Sequence, residues 1–147
     1  MGTRAIYTFK DKTQAVHVYK QYDSYPEGAV QFINNAIPHA WPLPRFNADD
    51  FASAFVKANK PSGKGDVRLV NKELPWDYSK DAEFWYIITQ HPRTKALWVD
   101  IKKSNWYDSI ITEDYWVGTL AEALDKWYSE QWKEKILAPI QSVDLVV

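Results

Sequence analysis

The stretch AIYTFKDKTQAVHVYKQYDSYPEGAVQFINNAI, residues 5–37, changes its hydrophobic period part-way along, and that change decides the fold class. Ala5 to Lys10 alternates in character, DKTQ makes a polar turn, and Ala15 to Tyr22 alternates again. Together they predict a β-hairpin. Strand side chains point to opposite faces in turn. Val16 and Val18 are therefore expected to face a core, with His17, Tyr19, Gln21 and Asp23 on the other side. Ser24 and Glu27 then stand three apart, the spacing of a capping box in which serine and glutamate satisfy the first free N–H groups of a helix. Pro26 fits a first turn, where its missing N–H had no intrahelical partner. Ala29, Phe32, Ile33 and Ala36 recur at helical spacing, and the helix is expected to stop near Ile37 because Pro38 follows.

The rest of the chain extends this pattern. PHAWPLPRF, residues 38–46, reads as a stiffened, extended connection. Asn47 is the expected cap of a second helix, with Asp49 and Asp50 in its first turn and an apolar stripe of Phe51, Ala54, Phe55 and Ala58. Phe46 and Phe51 have the spacing of a hydrophobic staple. Asp66 to Asn71 predicts a strand and KELPWDYSKD, residues 72–81, a loop. EFWYIITQ and ALWVDIKK, on either side of HPRTK, predict a second hairpin rich in β-branched and aromatic residues. Asn105 to Val117 predicts another strand or an irregular hairpin. Thr119 and Glu122 form a second capping box ahead of the stripe Leu120, Ala123, Leu124, Trp127 and Tyr128. QSVDLVV, residues 141–147, reads as an edge strand or an irregular end. The whole, residues 1–147, is expected to be one α+β domain: an antiparallel sheet of hairpins with about three helices packed mainly on one face.

Composition removes several chemistries. The chain has no cysteine, so disulfides and cysteine-ligated metals are excluded. Its net charge is −1, with acidic and basic residues intermixed, so no basic surface for nucleic acid is expected. Residues 93–103, RTKALWVDIKK, are the one stretch to test for it, with a solvated hairpin as the plainer reading. The start MGTRAIYTFKD lacks a signal-peptide pattern, Ile6 breaks the myristoylation pattern, and no apolar run spans a membrane. A cytoplasmic protein is expected. PSGKGD, residues 61–66, lacks the spacing of a phosphate loop, and no GxSxG, GxGxxG or HExxH occurs. His17, His39 and His91 have no local metal-ligand spacing, so neither metal nor cofactor is expected. Eight tryptophans and nine tyrosines suit a core, an interface or a ligand platform.

The candidate contact residues gather around the hairpin exit: Arg4, His17, Tyr19, Gln21, Tyr22, Asp23, Tyr25 and Glu27. Capping rules account for Ser24, Pro26 and Glu27, but leave Tyr22 and Tyr25 flanking Asp23 unexplained. A helix N-terminus attracts anions, although Glu27 would oppose one. MGTRAIYTF, VYKQYDSYPEGA and DAEFWYII together resemble a family of small proteins of bacteria and their phages, which begin MGTRS and carry YRQYDGYPEGHG. Gly2-Thr3-Arg4 and Tyr19 to Gly28 match closely. Ser24 stands where that family has glycine, and Ala29-Val30 replaces its His-Gly. The resemblance implies a phage or prophage setting and no particular reaction. The expected function is non-enzymatic engagement of a host protein through an aromatic-rich surface. The alternatives are sequestration of a small ligand, a nucleotide or a sugar, and a small hydrolase using His17 or Asp23 as base.

Overall fold

A computed structural model describes residues 3–60, 66–70, 82–105 and 110–127. The predicted loop 72–81, the PSGKGD turn apart from Asp66, Tyr128 and the tail 141–147 lie outside these. In chain order the elements are β1 (Ala5–Lys10), β2 (Ala15–Lys20), α1 (Pro26–Ala36), a 3-10 turn (Ile37–His39), α2 (Ala48–Asn59), β3 (Val67–Val70), β4 (Phe84–Gln90), β5 (Leu97–Asn105), β6 (Ile110–Thr119) and α3 (Leu120–Trp127). The strands form one sheet in the order β3-β2-β1-β4-β5-β6. It is an α+β fold, and α1 packs against both α2 and α3.

Every pairing is antiparallel except that of β1 with β4. The sequence predicted an antiparallel sheet, and this central pair is the exception. Short turns dictate direction within each hairpin. No turn joins β1 to β4, which α1, α2 and β3 separate in the chain, so period-two alternation could not foretell their relative direction.

The predicted core face of the first hairpin is the observed one. Tyr7 lies opposite Val18, and Phe9 opposite Val16. Tyr7, Phe9, Val18, Tyr86, Ile88, Val99 and Ile101 meet Val30, Ile33, Phe51, Phe55 and Leu124 from the helices in one buried cluster. Its centre is aromatic: Tyr7 lies 4.6 Å from Phe55 and 5.0 Å from Tyr86 between ring centroids, and Phe9 5.6 Å from Phe51. Each such side chain contributes about 1.5–3 kcal/mol through burial, which fixes the helices on this face. The opposite face has a smaller cluster of Ile6, Tyr19, Val70 and Ala82 with Trp85 against it.

Capping follows the local rule at α3, a tertiary contact at α2 and no side chain at α1. At α3 the box is reciprocal: Thr119 N–H donates to Glu122 Oε1 at 2.9 Å and Glu122 N–H to Thr119 Oγ1 at 3.0 Å. At α2 the staple forms, with Phe46 and Phe51 5.4 Å apart, but Asn47 makes no side-chain cap. Its Oδ1 accepts from Arg45 Nε instead, and Ala48 N–H is capped by Asp11 Oδ2 at 2.8 Å from the β1–β2 turn. At α1 the cap position is Tyr25, also without a side-chain bond. Ser24 falls one residue too early, so the predicted box with Glu27 does not form. The connection 38–46 was expected to be extended throughout, but its first residues continue α1 as the 3-10 turn, with Pro38 inside it.

Candidate binding surfaces

The turn from β2 into α1 is held from below. Lys20, at the end of β2, is buried, pairs with Asp66 at 3.1 Å and lies 4.3 Å from the centre of the Phe32 ring. The Gln21 N–H donates to the Asp66 carbonyl. Asp23 then turns the chain with φ of 59°, a left-handed conformation that Asp tolerates better than most residues. Ser24, fully buried, is fixed by four hydrogen bonds. Its N–H donates to Thr3 O, and its hydroxyl donates to Tyr22 O at 3.4 Å while accepting from Tyr7 OH at 2.9 Å. Its carbonyl accepts from Tyr86 OH. Burial pushes the Tyr86 phenol well above its usual range, so it remains a donor. Gly28 completes the joint: a Cβ there would lie 2.1 Å from Asp23 O, closer than a side chain allows.

Of the eight candidate residues, the structure sets four together on the outside of this joint. Tyr22 and Tyr25 are 47% and 41% exposed, and Asp23 and Glu27 are also exposed. Arg4 and Gln21 are half-buried at its base. Tyr19 is buried beneath the Arg68 guanidinium, 4.9 Å from its ring centre, which makes it a core residue. Gln21 and Asp23 were predicted to continue the strand face of His17 and Tyr19, but β2 ends at Lys20 and both lie in the turn beyond it. At the predicted anion site Pro26 has no N–H, and the Gly28 and Ala29 N–H groups both go to Tyr25 O.

His17 belongs to a different network. Its Nδ1 is 2.7 Å from Thr8 Oγ1, which accepts from Trp85 Nε1 at 2.8 Å. Burial holds the imidazole below its ordinary 6.5, so the ring is neutral near pH 7. Neutral Nδ1 can take the Thr8 proton, and the three side chains form a relay across β2, β1 and β4.

A second concavity was not foreseen. Parallel pairing places Ala5 and Phe84 at one end of the sheet and Lys10 and Gln90 at the other. The joint after β2 lies at the first end. At the second, on the face away from the helices, is a recess of about 350 Å³ lined by Ile87, Thr89, His91, Trp98, Asp100 and Val117, among others. Register makes it a grid, with Thr89 opposite Trp98 and Asp100 between Ile87 and Val117. The His91 ring lies 5.9 Å from that of Trp98. His91 Nδ1 accepts from the N–H groups of Arg93 and Thr94, both at 3.1 Å, which locks the turn between the strands. Trp98 Nε1 is buried and finds no acceptor among the described residues, an arrangement that costs about 1–3 kcal/mol. The spacing of Ile87 with Thr89 and Trp98 with Asp100 was legible as one-face alternation, but only the register joins the two pairs.

Among the described residues no group of three metal-ligating side chains converges, and no helix is long and apolar enough to cross a membrane. No protein-family model, curated protein or solved structure matches the chain.

Proposed function

We propose that the protein acts by binding a protein partner through the Tyr22–Glu27 joint, in the phage or prophage setting that the MGTR and YKQYDSYPEG stretches imply. One observation carries this reading: Tyr22 and Tyr25, three residues apart at the turn, are exposed while Ser24, between Asp23 and Tyr25, is fully buried and held by four hydrogen bonds. Ordering flexible side chains and loops weakens association, and a braced turn has little order left to lose. Tyrosine adds large contact area with few rotatable bonds and a polar tip. Asp23 and Glu27 beside it favour a partner surface with basic groups.

The hydrolase alternative has less support, because the Nδ1 hydrogen bond of His17 goes to Thr8 and not to a carboxylate. The test is site-specific photo-crosslinking in producing cells, with the reactive side chain placed at Tyr22, at Tyr25 and, as control, at exposed Ser53 on α2. A discrete adduct from the first two positions that is absent from the third is expected, and it should be suppressed by adding unlabelled protein but not by its Tyr22→Ala, Tyr25→Ala variant. Adducts of equal yield at all three positions, or none, would refute the proposal.

A further inference from the structure

We propose that the recess on the outer face of β4, β5 and β6 is a second binding site, one that takes a neutral carbohydrate ring. The inference is independent of the joint, which lies at the opposite end of the sheet. The volume, about 350 Å³, is at the small-molecule end of the range for ligand sites.

The lining specifies the chemistry. Trp98, Ile87 and Val117 supply apolar surface on which the C–H face of a sugar can rest, and Val117, 60% exposed, is open to such a contact. Three kinds of polar group stand in the same lining. Asp100 offers carboxylate oxygens, with Lys102 Nζ 3.7 Å from one of them. Thr89 offers a hydroxyl. His91 has Nδ1 committed to two backbone N–H groups, which leaves the proton of the neutral ring on Nε2 as a donor. A ligand that must donate to a carboxylate, accept from an imidazole and still present an apolar face is a polyhydroxylated ring.

Charge separates this ligand from a nucleotide. Lys102 is shared between Asp100 and Asp114, at 3.7 and 2.7 Å, so two carboxylates stand around one ammonium. Asp100, Lys102 and Asp114 together carry a charge of −1, which disfavours a phosphate and leaves an uncharged sugar unaffected.

The full-length protein, labelled with ¹⁵N in its tryptophans, is titrated with the methyl glycosides of glucose, galactose, mannose and N-acetylglucosamine, and with adenosine and inorganic phosphate. The Trp98 indole resonance, assigned through Trp98→Phe, should move saturably with at least one glycoside. Asp100→Asn should weaken that response at least about tenfold, and Thr89→Val should weaken it at constant side-chain shape. The Tyr22→Ala, Tyr25→Ala variant should leave it unchanged. No movement with any glycoside at about 50 mM, well above the millimolar Kd of a weak site, would overturn the inference. So would a stronger response to adenosine or phosphate than to every glycoside, or a response indifferent to both recess variants.

Discussion

Replacing Asp11 with alanine should destabilise the fold measurably at neutral pH and much less in acid. The carboxylate joins two elements distant in sequence. Oδ1 accepts from Thr13 N–H at 2.8 Å, Gln14 N–H at 3.0 Å and the Thr13 hydroxyl at 3.0 Å. Oδ2 accepts from Ala48 N–H at 2.8 Å, the first donor of α2. The Ala48 and Thr13 N–H groups, named in order of effect, hold the carboxyl at about 2 instead of its usual 3.8. At full burial that lowering would equal about 2.4 kcal/mol. Asp11 is partly exposed, and solvent screening brings the figure to about 1 kcal/mol. Loss of a helix cap independently costs about 0.5–2 kcal/mol, so the two routes agree. The expected change in Tm is roughly 2–6 °C for a chain of this size. The sign follows from linkage: with the folded value depressed, the contribution is complete above about pH 4 and is lost as pH falls toward about 2. Urea unfolding of wild type and Asp11→Ala across that window tests it. A stability difference that stays constant with pH, or one below about 0.3 kcal/mol at neutrality, would refute the assignment of Asp11 as the cap. Asp11→Asn should recover only part of the loss, because one of its two tips becomes a donor facing N–H groups.

Three further outcomes are expected. Gly28→Ala should destabilise by about 2–3 kcal/mol in urea unfolding, although alanine favours helix by about 1 kcal/mol, because the new Cβ would lie 2.1 Å from Asp23 O; an unchanged midpoint would contradict the close packing at this joint. Tyr86→Phe should cost about 1 kcal/mol through its bond to Ser24 O and remove one late-titrating phenol from alkaline absorbance titrations. His17 should titrate below 6.5 by NMR. Its depressed folded value makes wild-type stability decline as pH falls below about 6.5, and His17→Gln should abolish that slope.

What the sequence revealed was whatever depends on neighbours along the chain. Val16 and Val18 could be assigned to the core from alternation, the Phe46–Phe51 staple from a five-residue spacing, and the Thr119–Glu122 box from a three-residue one. Asn47 and Ser24 failed as caps for different reasons. At α2 the Ala48 N–H was already claimed from afar by Asp11, whereas Ser24 stands one residue before the cap position, its hydroxyl and carbonyl accepting from the phenols of Tyr7 and Tyr86. Nothing at position 24 announces a partner at position 86. The candidate site divided along the same line. Tyr19 shares a motif with Tyr22 and Tyr25, but alternation places it on a strand face that tertiary packing buries, whereas the other two lie in the turn beyond the last strand pair.

The spacing within the turn and its exposure can then be separated physically. Ser24, Pro26 and Gly28 are explained by the joint itself: buried hydrogen bonds, a first-turn ring and a close backbone approach each restrict what can stand there. Tyr22 and Tyr25 are restricted by none of these, since their side chains are 47% and 41% exposed and make no side-chain hydrogen bond at the helix cap. A tyrosine this exposed costs the fold less to lose than a core residue, so two of them on a turn with so little freedom are better explained by what they meet than by what they hold. The recess reverses this logic. There, among the described residues, the apolar side chains and an indole N–H without an acceptor lie on a sheet face away from the helices, and the groups that would ordinarily be exchanged for water or core, Asp100, Thr89 and the His91 ring, are fixed by strand register and a locked turn. Rigidity at both ends of the sheet comes from the fold; the chemistry displayed at each end differs, acidic and phenolic at one, apolar with convergent polar groups at the other.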